Sequence, residues 1–240
     1  MTDGVSRLIG MSYAKRVGAA LAPKVTVIAP NLSATFVHQA LAKAISGVGP
    51  LPSAASAADK QLTENHGDVE RGIHDVIENH VRYAGIQGFA TNLGGLVTMA
   101  VSVPANITGL ALIQCRMVAG IAHLRGYSLD DPRTRDAILA SLLGEERILK
   151  LVKTRTLPGT PMEIAAAKVH DDALDTVIAN EVASELITRA AGKRLATTVG
   201  RRVPVVGGVV GASTDAFVTW KIGRYVDREF LPKAERKRKR

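Results

Sequence analysis

Histidines and carboxylates are concentrated between residues 64 and 80. Glu70, His74 and Glu78 are spaced four residues apart, so a helix places them on one face, where they could hold a divalent ion. The Glu-x-x-His repeats of a di-iron helical bundle are missing from this region. The pattern therefore favours a solvated polar helix face, and we interpret the His170–Asp172 run in the same way.

The nucleotide-binding and nucleophile motifs of common enzymes do not fit this chain. Lys193 follows Gly192, but Arg194 stands where a phosphate-binding loop needs Ser or Thr. The glycines of 207–211 lack the spacing of a dinucleotide fingerprint and match a Gly-x-x-x-Gly helix-packing motif. The one cysteine, Cys115, lies in an apolar stretch, which predicts a buried and unreactive thiol. The sequence predicts no catalytic residue, no metal and no cofactor.

The composition is typical of a helical protein from a reducing compartment. The chain has 240 residues, of which 46% are hydrophobic and only 4% aromatic. Small residues let helices pack closely, and the alternating pattern of strands is scarce. A lone cysteine cannot form an intrachain disulfide. Asp3, Arg7 and Lys15 interrupt the apolar positions of the N-terminus, so we expect no secretory signal there.

Two long segments are almost free of charge. Residues 83–115 contain no charged side chain over 33 positions, and residues 203–220 contain only Asp215. Pro104 should break or kink a helix in the first segment. Each arm beside it is about 24 Å long, less than the roughly 30 Å of a bilayer's hydrocarbon core. Three interpretations stay open for 83–115: a soluble core packed through small residues, a shallow interfacial hairpin, or two membrane passes.

These patterns predict an all-α fold, a multi-helix bundle with two small-residue-rich, nearly charge-free helical segments. The predicted organisation has N-terminal amphipathic helices over 1–47, a linker over 48–64, a helical domain over 65–231 and a basic tail over 232–240. The linker prediction rests on the Gly, Pro, Ser and Ala content of that stretch.

Several helix boundaries can be predicted from capping residues. Ser33 suits the N-cap of a helix that ends near Ser46. Another helix is expected from about Asp68 to Ala84. Asp131 and Pro132 suit the N-cap and the first helical position of a helix that ends near Leu157. That helix is predicted to bury a stripe of apolar residues: Ile138, Leu142, Leu149 and Val152.

Much of the formal net charge of +9 lies near the C-terminus. The basic tail could be solvated, or it could contact an anionic membrane or a nucleic acid. No stacking aromatic residues interleave with these charges, so nucleic acid is the least favoured partner. The positions that we assign to a membrane surface are Arg201, Arg202, Lys233, Arg236, Lys237, Arg238, Lys239 and Arg240.

Three separated motifs resemble the EcsC family. They are Gly88–Met99 with Val103–Ala105, then Gln114–Ala122 with Gly126–Pro132, and then Val203–Ala212 with Gly223–Phe230. The resemblance covers about residues 65–230, and the first 60 or so residues carry no motif that aligns. It implies a helical, often membrane-associated bacterial protein, and it transfers no catalytic residues.

The motif positions that we single out for the resemblance or for the local structure are Gly88, Asn92, Gly94, Gly95, Pro104, Arg116, Gly126, Asp131, Pro132, Pro204, Gly207, Gly208, Gly211 and Asp215. Arg116 ends the uncharged stretch, and Asp215 is the single charge of the second one. Because an unpaired charge beside apolar surface is costly, we predict that 107–123 packs against 204–220 and that Arg116 pairs with Asp215. The alternative is that Arg116 reaches solvent and that Asp215 caps a helix.

The leading functional hypothesis is a non-enzymatic helical protein that associates with anionic membrane or lipid and could serve a membrane protein complex. We expect it in the cytoplasm, peripheral to or shallowly inserted into the inner membrane. Two alternatives stay open: a soluble helical scaffold that binds a partner protein, and an enzyme that acts on a hydrophobic substrate.

Overall fold

The computed structural model describes residues 33–47, 49, 51–93, 99–199 and 204–233. Within these ranges, residues 88–93, 99–106, 190–199 and 204–212 are described by their helical backbone alone. The amphipathic helix predicted in the first 32 residues and the basic tail beyond Lys233 lie outside the described residues.

The described part of the chain is all-α, as predicted. Its helices are α1 (Ala34–Ser46), α2 (Ala54–Glu64), α3 (Val69–Leu93), α4 (Met99–Leu124), α5 (Pro132–Ser141), α6 (Glu145–Lys153), α7 (Pro161–Ala165), α8 (Asp172–Val199) and α9 (Pro204–Glu229). One hydrophobic core joins them, and each of these helices contributes residues to it.

The capping residues set the helix boundaries largely as the sequence predicts. Ser33 is the N-cap of α1 by position, although its side chain makes no capping hydrogen bond. The Asp131 carboxylate accepts a hydrogen bond from the Arg133 N–H at 3.0 Å, with Pro132 in the first position of α5. The last helix ends at Glu229, just before Phe230.

The predicted linker over 48–64 is wrong, because α2 occupies Ala54–Glu64. The Ser53 hydroxyl caps this helix by accepting the Ser56 N–H at 3.1 Å. Ala54 and Ala58 are buried, and Ala58 comes close to Gly120 of α4. Alanine favours helix as strongly as any residue, so an Ala-Ser stretch that lies against a core folds as helix. The predicted division between 1–47 and 65–231 also fails, since α1, α2 and α4 share one core.

The single helix predicted after Pro132 is two helices, α5 and α6. Gly144 lies between them with φ of +79°, a left-handed conformation that glycine adopts at little cost. The break shifts the phase of the buried stripe: Ile138 and Leu142 are buried, but Leu149 is 57% exposed. The helix predicted from about Asp68 to Ala84 begins as expected, at Val69, and extends past Ala84 to Leu93.

Helices α3, α4 and α9 form the centre of the bundle. Ile77 of α3 packs against Gly223 of α9, and Val76 packs against Gly120 of α4. Arg125, just after α4, pairs with both Glu70 near the start of α3 and Asp227 near the end of α9. Helix α3 is therefore antiparallel to both of its neighbours, and α4 and α9 run in parallel.

The uncharged 83–115 stretch supplies the end of α3 and most of α4. Helix α4 continues through Pro104, so the predicted break is not there. Pro104 removes one backbone hydrogen bond near the start of a helix that is held by its buried C-terminal half. Among the described residues, one segment, Ile107–Leu124, is long and apolar enough to cross a membrane. It is 61% buried inside the bundle, and a core helix of a soluble protein passes the same test.

The close approach of α3 and α9 depends on the missing side chain at position 223. A Cβ there would lie 2.9 Å from the Ile77 Cγ2 and 3.2 Å from the Met117 Sδ, both buried. We expect Gly223→Ala to lower the free energy of unfolding by about 1–2 kcal/mol, despite the gain in helix propensity.

Gly72→Ala is the matched control, because a Cβ at this helical position meets its nearest atom at 3.5 Å, an ordinary contact. It should leave the stability unchanged or raise it by up to about 1 kcal/mol. Urea denaturation of both variants checks the prediction, and equal effects of the two alanines would contradict it.

Candidate functional site

One end of the bundle is closed by a buried guanidinium. The Arg125 side chain is 7% exposed; its Nη1 and Nη2 donate to the two carboxylate oxygens of Glu70, and Nη2 also donates to Asp227 Oδ1 at 2.9 Å. Burial by itself would lower the pKa of Arg125, but the hydrogen bonds and charges of Glu70 and Asp227 outweigh it and raise the pKa. We call this end, which contains Glu70, Arg125 and Asp227, the anchor end.

The opposite end of the bundle is almost uncharged. Helix α3 runs toward it, and α4 and α9 return from it, because α3 is antiparallel to both. We define the apolar end as residues 83–93, 99–115 and 204–220, in which Asp215 is the one charged residue. Tertiary structure thus brings together the two nearly charge-free segments that the sequence shows separately.

Large apolar side chains are exposed on the outer surface of this end. Tyr83 is 54% exposed, Ile86 68%, Phe217 58% and Trp220 48%. The Phe217 and Trp220 rings are stacked, with centroids 6.1 Å apart. Tyr83 and Phe217 each lie six residues toward the apolar end from the Ile77–Gly223 contact, about 9 Å along their helices. We call these four residues the collar.

The structure describes one of the predicted membrane-surface charges. Lys233 is exposed at the anchor end, where its backbone N–H donates to the Arg125 carbonyl at 3.0 Å. The other predicted positions lie outside the described residues: Arg201, Arg202, Arg236, Lys237, Arg238, Lys239 and Arg240.

The predicted Arg116–Asp215 pair is wrong. Arg116 is 8% exposed and donates through Nη2 to the backbone carbonyl of Ser53 at 3.4 Å. Burial lowers the pKa of Arg116. Asp215 is buried in the middle of α9, so it caps no helix. Arg116 is buried as well, so it does not reach solvent. Ser53, the N-cap of α2, therefore supplies the hydrogen-bond acceptor for Arg116.

The predicted packing of 107–123 against 204–220 is confirmed by a different polar pair. The Gln114 Nε2 donates to the Thr219 Oγ1 at 3.2 Å, and both side chains are fully buried. Gln114 lies two residues before Arg116, and Thr219 lies four residues after Asp215. The sequence does not predict this pair. An uncharged polar residue costs less to bury unpaired than a charge does, so its presence in an apolar stretch gives less reason to expect a specific partner.

The residues considered for metal binding do not converge. His74 pairs with Glu78 at 3.2 Å on an exposed face, as the solvated interpretation predicts, while Glu70 turns to Arg125. His170 departs from that interpretation, because its Nε2 lies 3.0 Å from the buried Asp136 carboxylate. Within the part of the chain that the structure describes, no group of three His, Cys, Asp or Glu side chains is placed to hold a metal ion.

The other predicted motif positions serve local structure or lie where side chains are not described. Gly126 adopts φ of +85° and ends α4. Gly88, Asn92 and Pro104 are helical positions of α3 and α4, and Gly207, Gly208 and Gly211 are positions of α9, which begins at Pro204. Gly94 and Gly95 are outside the described residues.

The described residues define an all-α bundle in which α3 is antiparallel to α4 and α9, with a charged anchor end and a nearly uncharged apolar end. The chain belongs to the EcsC protein family, whose family model matches residues 11–230. The match begins well before residue 65, so the N-terminal residues belong to the family region. No curated protein and no solved structure matches the chain.

The Gln114–Thr219 hydrogen bond gives a test of how α4 and α9 are joined. Thr219→Val preserves the shape but leaves the Gln114 amide without its acceptor, so we expect a loss of about 1–3 kcal/mol in the free energy of unfolding. Adding Gln114→Leu should recover most of that loss, because the Gln114 Oε1 also lacks a partner among the described residues. A urea-denaturation double-mutant cycle measures the coupling, and additive effects would argue against the contact.

Cys115 gives an independent test of the α4 core. The thiol is 1% exposed, and burial raises its pKa to about 12. Because the thiolate is the reactive form, a thiol reagent at neutral pH should label the native protein at least about a hundredfold more slowly than the urea-unfolded protein. Equal labelling rates would mean that α4 is not packed in this way.

Proposed function

We propose that this protein is a non-enzymatic helical protein that attaches to an anionic membrane by inserting its apolar end shallowly into the lipid. One observation carries the proposal: α3, α4 and α9 bring the nearly uncharged residues 83–93, 99–115 and 204–220 to one end of the bundle, and α3 and α9 expose the collar residues beside them. Aromatic side chains favour the boundary between hydrocarbon and water, so the collar suits the depth at which insertion stops.

The dimensions fit one leaflet. From Tyr83 to the end of α3 at Leu93 is about 15 Å at 1.5 Å per residue, half of a hydrocarbon core of about 30 Å. The backbone of the apolar end is helical over residues 83–93, 99–115 and 204–220. Its polar groups are therefore largely hydrogen-bonded within the helices, as an apolar solvent requires. The polar side chains Thr91, Asn92 and Asn106 argue against a deeper position.

Basic residues supply the preference for anionic lipid. Lys233 and the basic residues that follow it in the sequence are each worth about 1 kcal/mol near an anionic surface. Residues 234–240 span up to about 25 Å when extended, and Trp220 of the collar lies about 14 Å before the end of α9 at Glu229, so the tail is long enough to reach the level of the collar. Lys193, Arg194, Arg201 and Arg202 precede α9 in the sequence and argue against deep insertion of that region.

We expect the full chain to float with anionic vesicles at low salt, more weakly at high salt, and least with neutral vesicles. The triple variant Tyr83→Ala, Ile86→Ala, Phe217→Ala should reduce the partition coefficient by about tenfold or more, because it removes apolar area at the inserting end. Trp220, the one tryptophan of the sequence, is preserved and should shift its emission to the blue on binding of the unaltered protein.

The matched control is the triple variant Leu51→Ala, Leu149→Ala, Val169→Ala, whose parent side chains are also exposed but lie outside α3 and α9. It should float like the unaltered protein, whereas a chain truncated after Lys233 should float less with anionic vesicles at low salt, because it loses the basic residues of the tail. Absence of flotation on either vesicle, or equal losses in the two triple variants, would refute the proposal.

The second candidate is a helical scaffold that uses the collar to bind a partner protein. The burial of most of Ile107–Leu124 in the bundle favours it, because that helix contributes little surface to lipid. A chain that stays monodisperse without detergent and ignores vesicles, but loses partner binding in the collar variant, would support the scaffold over the membrane attachment.

A further inference from the structure

A cleft of about 620 Å³ separates the start of α6 from the outer face of α9, and part of its wall comes from α8. Its volume is in the range of small-molecule sites, about 300–1,000 Å³. Trp220 of the collar lines it, so the cleft adjoins the residues that we propose to contact the membrane. Its charged lining is mostly basic, with three glutamates beside Arg147, Arg189, Lys221, Arg224 and Arg228. We call it the basic cleft.

The outer face of α9 changes from aromatic to basic along the helix. Trp220, Arg224 and Arg228 are spaced four residues apart, so they lie on one face. The Arg224 and Arg228 side chains are about half exposed, and so is that of Lys221. A membrane surface favours the same order, with aromatic residues at the edge of the hydrocarbon and basic residues near the anionic headgroups.

The distances along α9 match the thickness of a headgroup layer. A bilayer is about 40–45 Å thick with its headgroups and about 30 Å without them, so each headgroup layer is about 5–7 Å thick. Arg224 lies four residues from Trp220, about 6 Å toward the anchor end. With the collar at the edge of the hydrocarbon and α9 upright, Lys221 and Arg224 therefore lie at the depth of the lipid phosphates.

The carboxylates that now pair with these two cations hold them weakly. The Lys221 Nζ lies 3.4 Å from the Glu146 Oε1. The Arg224 Nη1 lies 3.3 Å from the Asp227 Oδ2, while the other oxygen of Asp227 binds the buried Arg125 at 2.9 Å. Exposed ion pairs contribute little stability, and a guanidinium binds phosphate through two parallel hydrogen bonds. A phosphate group can therefore replace both contacts.

Arg189 adds a cation that is already fixed in place. Its Nε donates to the Glu185 Oε1 at 2.8 Å, and its Nη2 donates to the Leu143 carbonyl at 3.0 Å. Among the described residues, its Nη1 is buried without a hydrogen-bond partner, and so is the Nε of Arg147. Burying an N–H donor without an acceptor is unfavourable. The oxygens of an anionic ligand in the cleft would supply such acceptors.

We propose that the basic cleft binds the phosphate monoester of an anionic lipid, with Lys221, Arg224 and Arg189 as the donors to its oxygens. A monoester has three free oxygens, whereas the phosphodiester of a common phospholipid has two. This inference rests on the proposed membrane attachment and names the lipid group that the protein recognises. The basic tail is attracted to any anionic surface, while the cleft selects this headgroup.

The test is flotation of the full chain with two kinds of vesicle of equal zeta potential, one containing phosphatidic acid and the other phosphatidylglycerol. Phosphatidic acid carries the monoester, so its vesicles should give a partition coefficient higher by about tenfold or more, the effect of one additional hydrogen bond to a charged group. The double variant Lys221→Gln, Arg224→Gln should lose this preference and still float weakly with both kinds of vesicle.

The double variant Lys60→Gln, Arg71→Gln is the matched control. It removes the same charge from exposed ion pairs outside the cleft, Lys60–Glu64 at 3.7 Å and Arg71–Asp68 at 3.3 Å, so it should keep the preference. Flotation of the unaltered chain without a preference, or the same preference in both double variants, would overturn the cleft as the lipid site. The membrane attachment itself would stand in either case.

A titration with glycerol 3-phosphate at constant ionic strength distinguishes a lipid from a soluble phosphate ester. Trp220 lines the cleft and is the one tryptophan of the sequence, so its emission reports occupancy without vesicles. A saturable change that is lost in Lys221→Gln, Arg224→Gln, together with the vesicle preference, supports the proposal. The same change in a chain that does not float would assign the cleft to a soluble ester, and would overturn both the lipid site and the membrane attachment.

Discussion

Arg125 is held by carboxylates from two other helices, and this buried cation fixes how the bundle is aligned. Its guanidinium follows α4, Glu70 begins α3 and Asp227 lies in the last turns of α9. A buried charge that loses its partners is costly, so the three helix ends must stay together. The Arg125 carbonyl also accepts the Lys233 N–H, which ties the C-terminal segment to the same point.

This clamp at one end has a consequence at the other. Because α3 is antiparallel to α4 and α9, fixing their ends at Arg125 places the end of α3 and the starts of α4 and α9 at the opposite end of the bundle. Buried polar contacts lie between the two ends, with Gln114–Thr219 joining α4 to α9 and Arg116 reaching the Ser53 carbonyl. Helices α3, α4 and α9 are thus charged where Arg125 holds them together and nearly uncharged toward the other end.

The sequence predicts a helix boundary correctly where a few neighbouring residues decide it. Asp131 and Pro132 start α5 because a carboxylate accepts the first free N–H and proline gives up none. At 48–64 the local pattern gives the wrong prediction. Glycine, proline and serine around alanines indicate a linker, but the core buries Ala54 and Ala58 and stabilises a helix there. Leu149 was misplaced because the left-handed Gly144 shifts the helical phase, and its φ is not visible in the sequence.

Composition and spacing along the chain are enough to predict the helical class, the family and the two nearly uncharged segments. Which charges meet depends on the fold. The sequence predicts a pair between Arg116 and Asp215 because each is an isolated charge beside an apolar run, yet in the structure Arg116 donates to the Ser53 carbonyl at the start of α2. His170 looked solvated beside Asp171 and Asp172, but folding sets it against Asp136, 34 residues earlier. The energy of a charge depends on what surrounds it in space, and spacing along the chain does not supply that information.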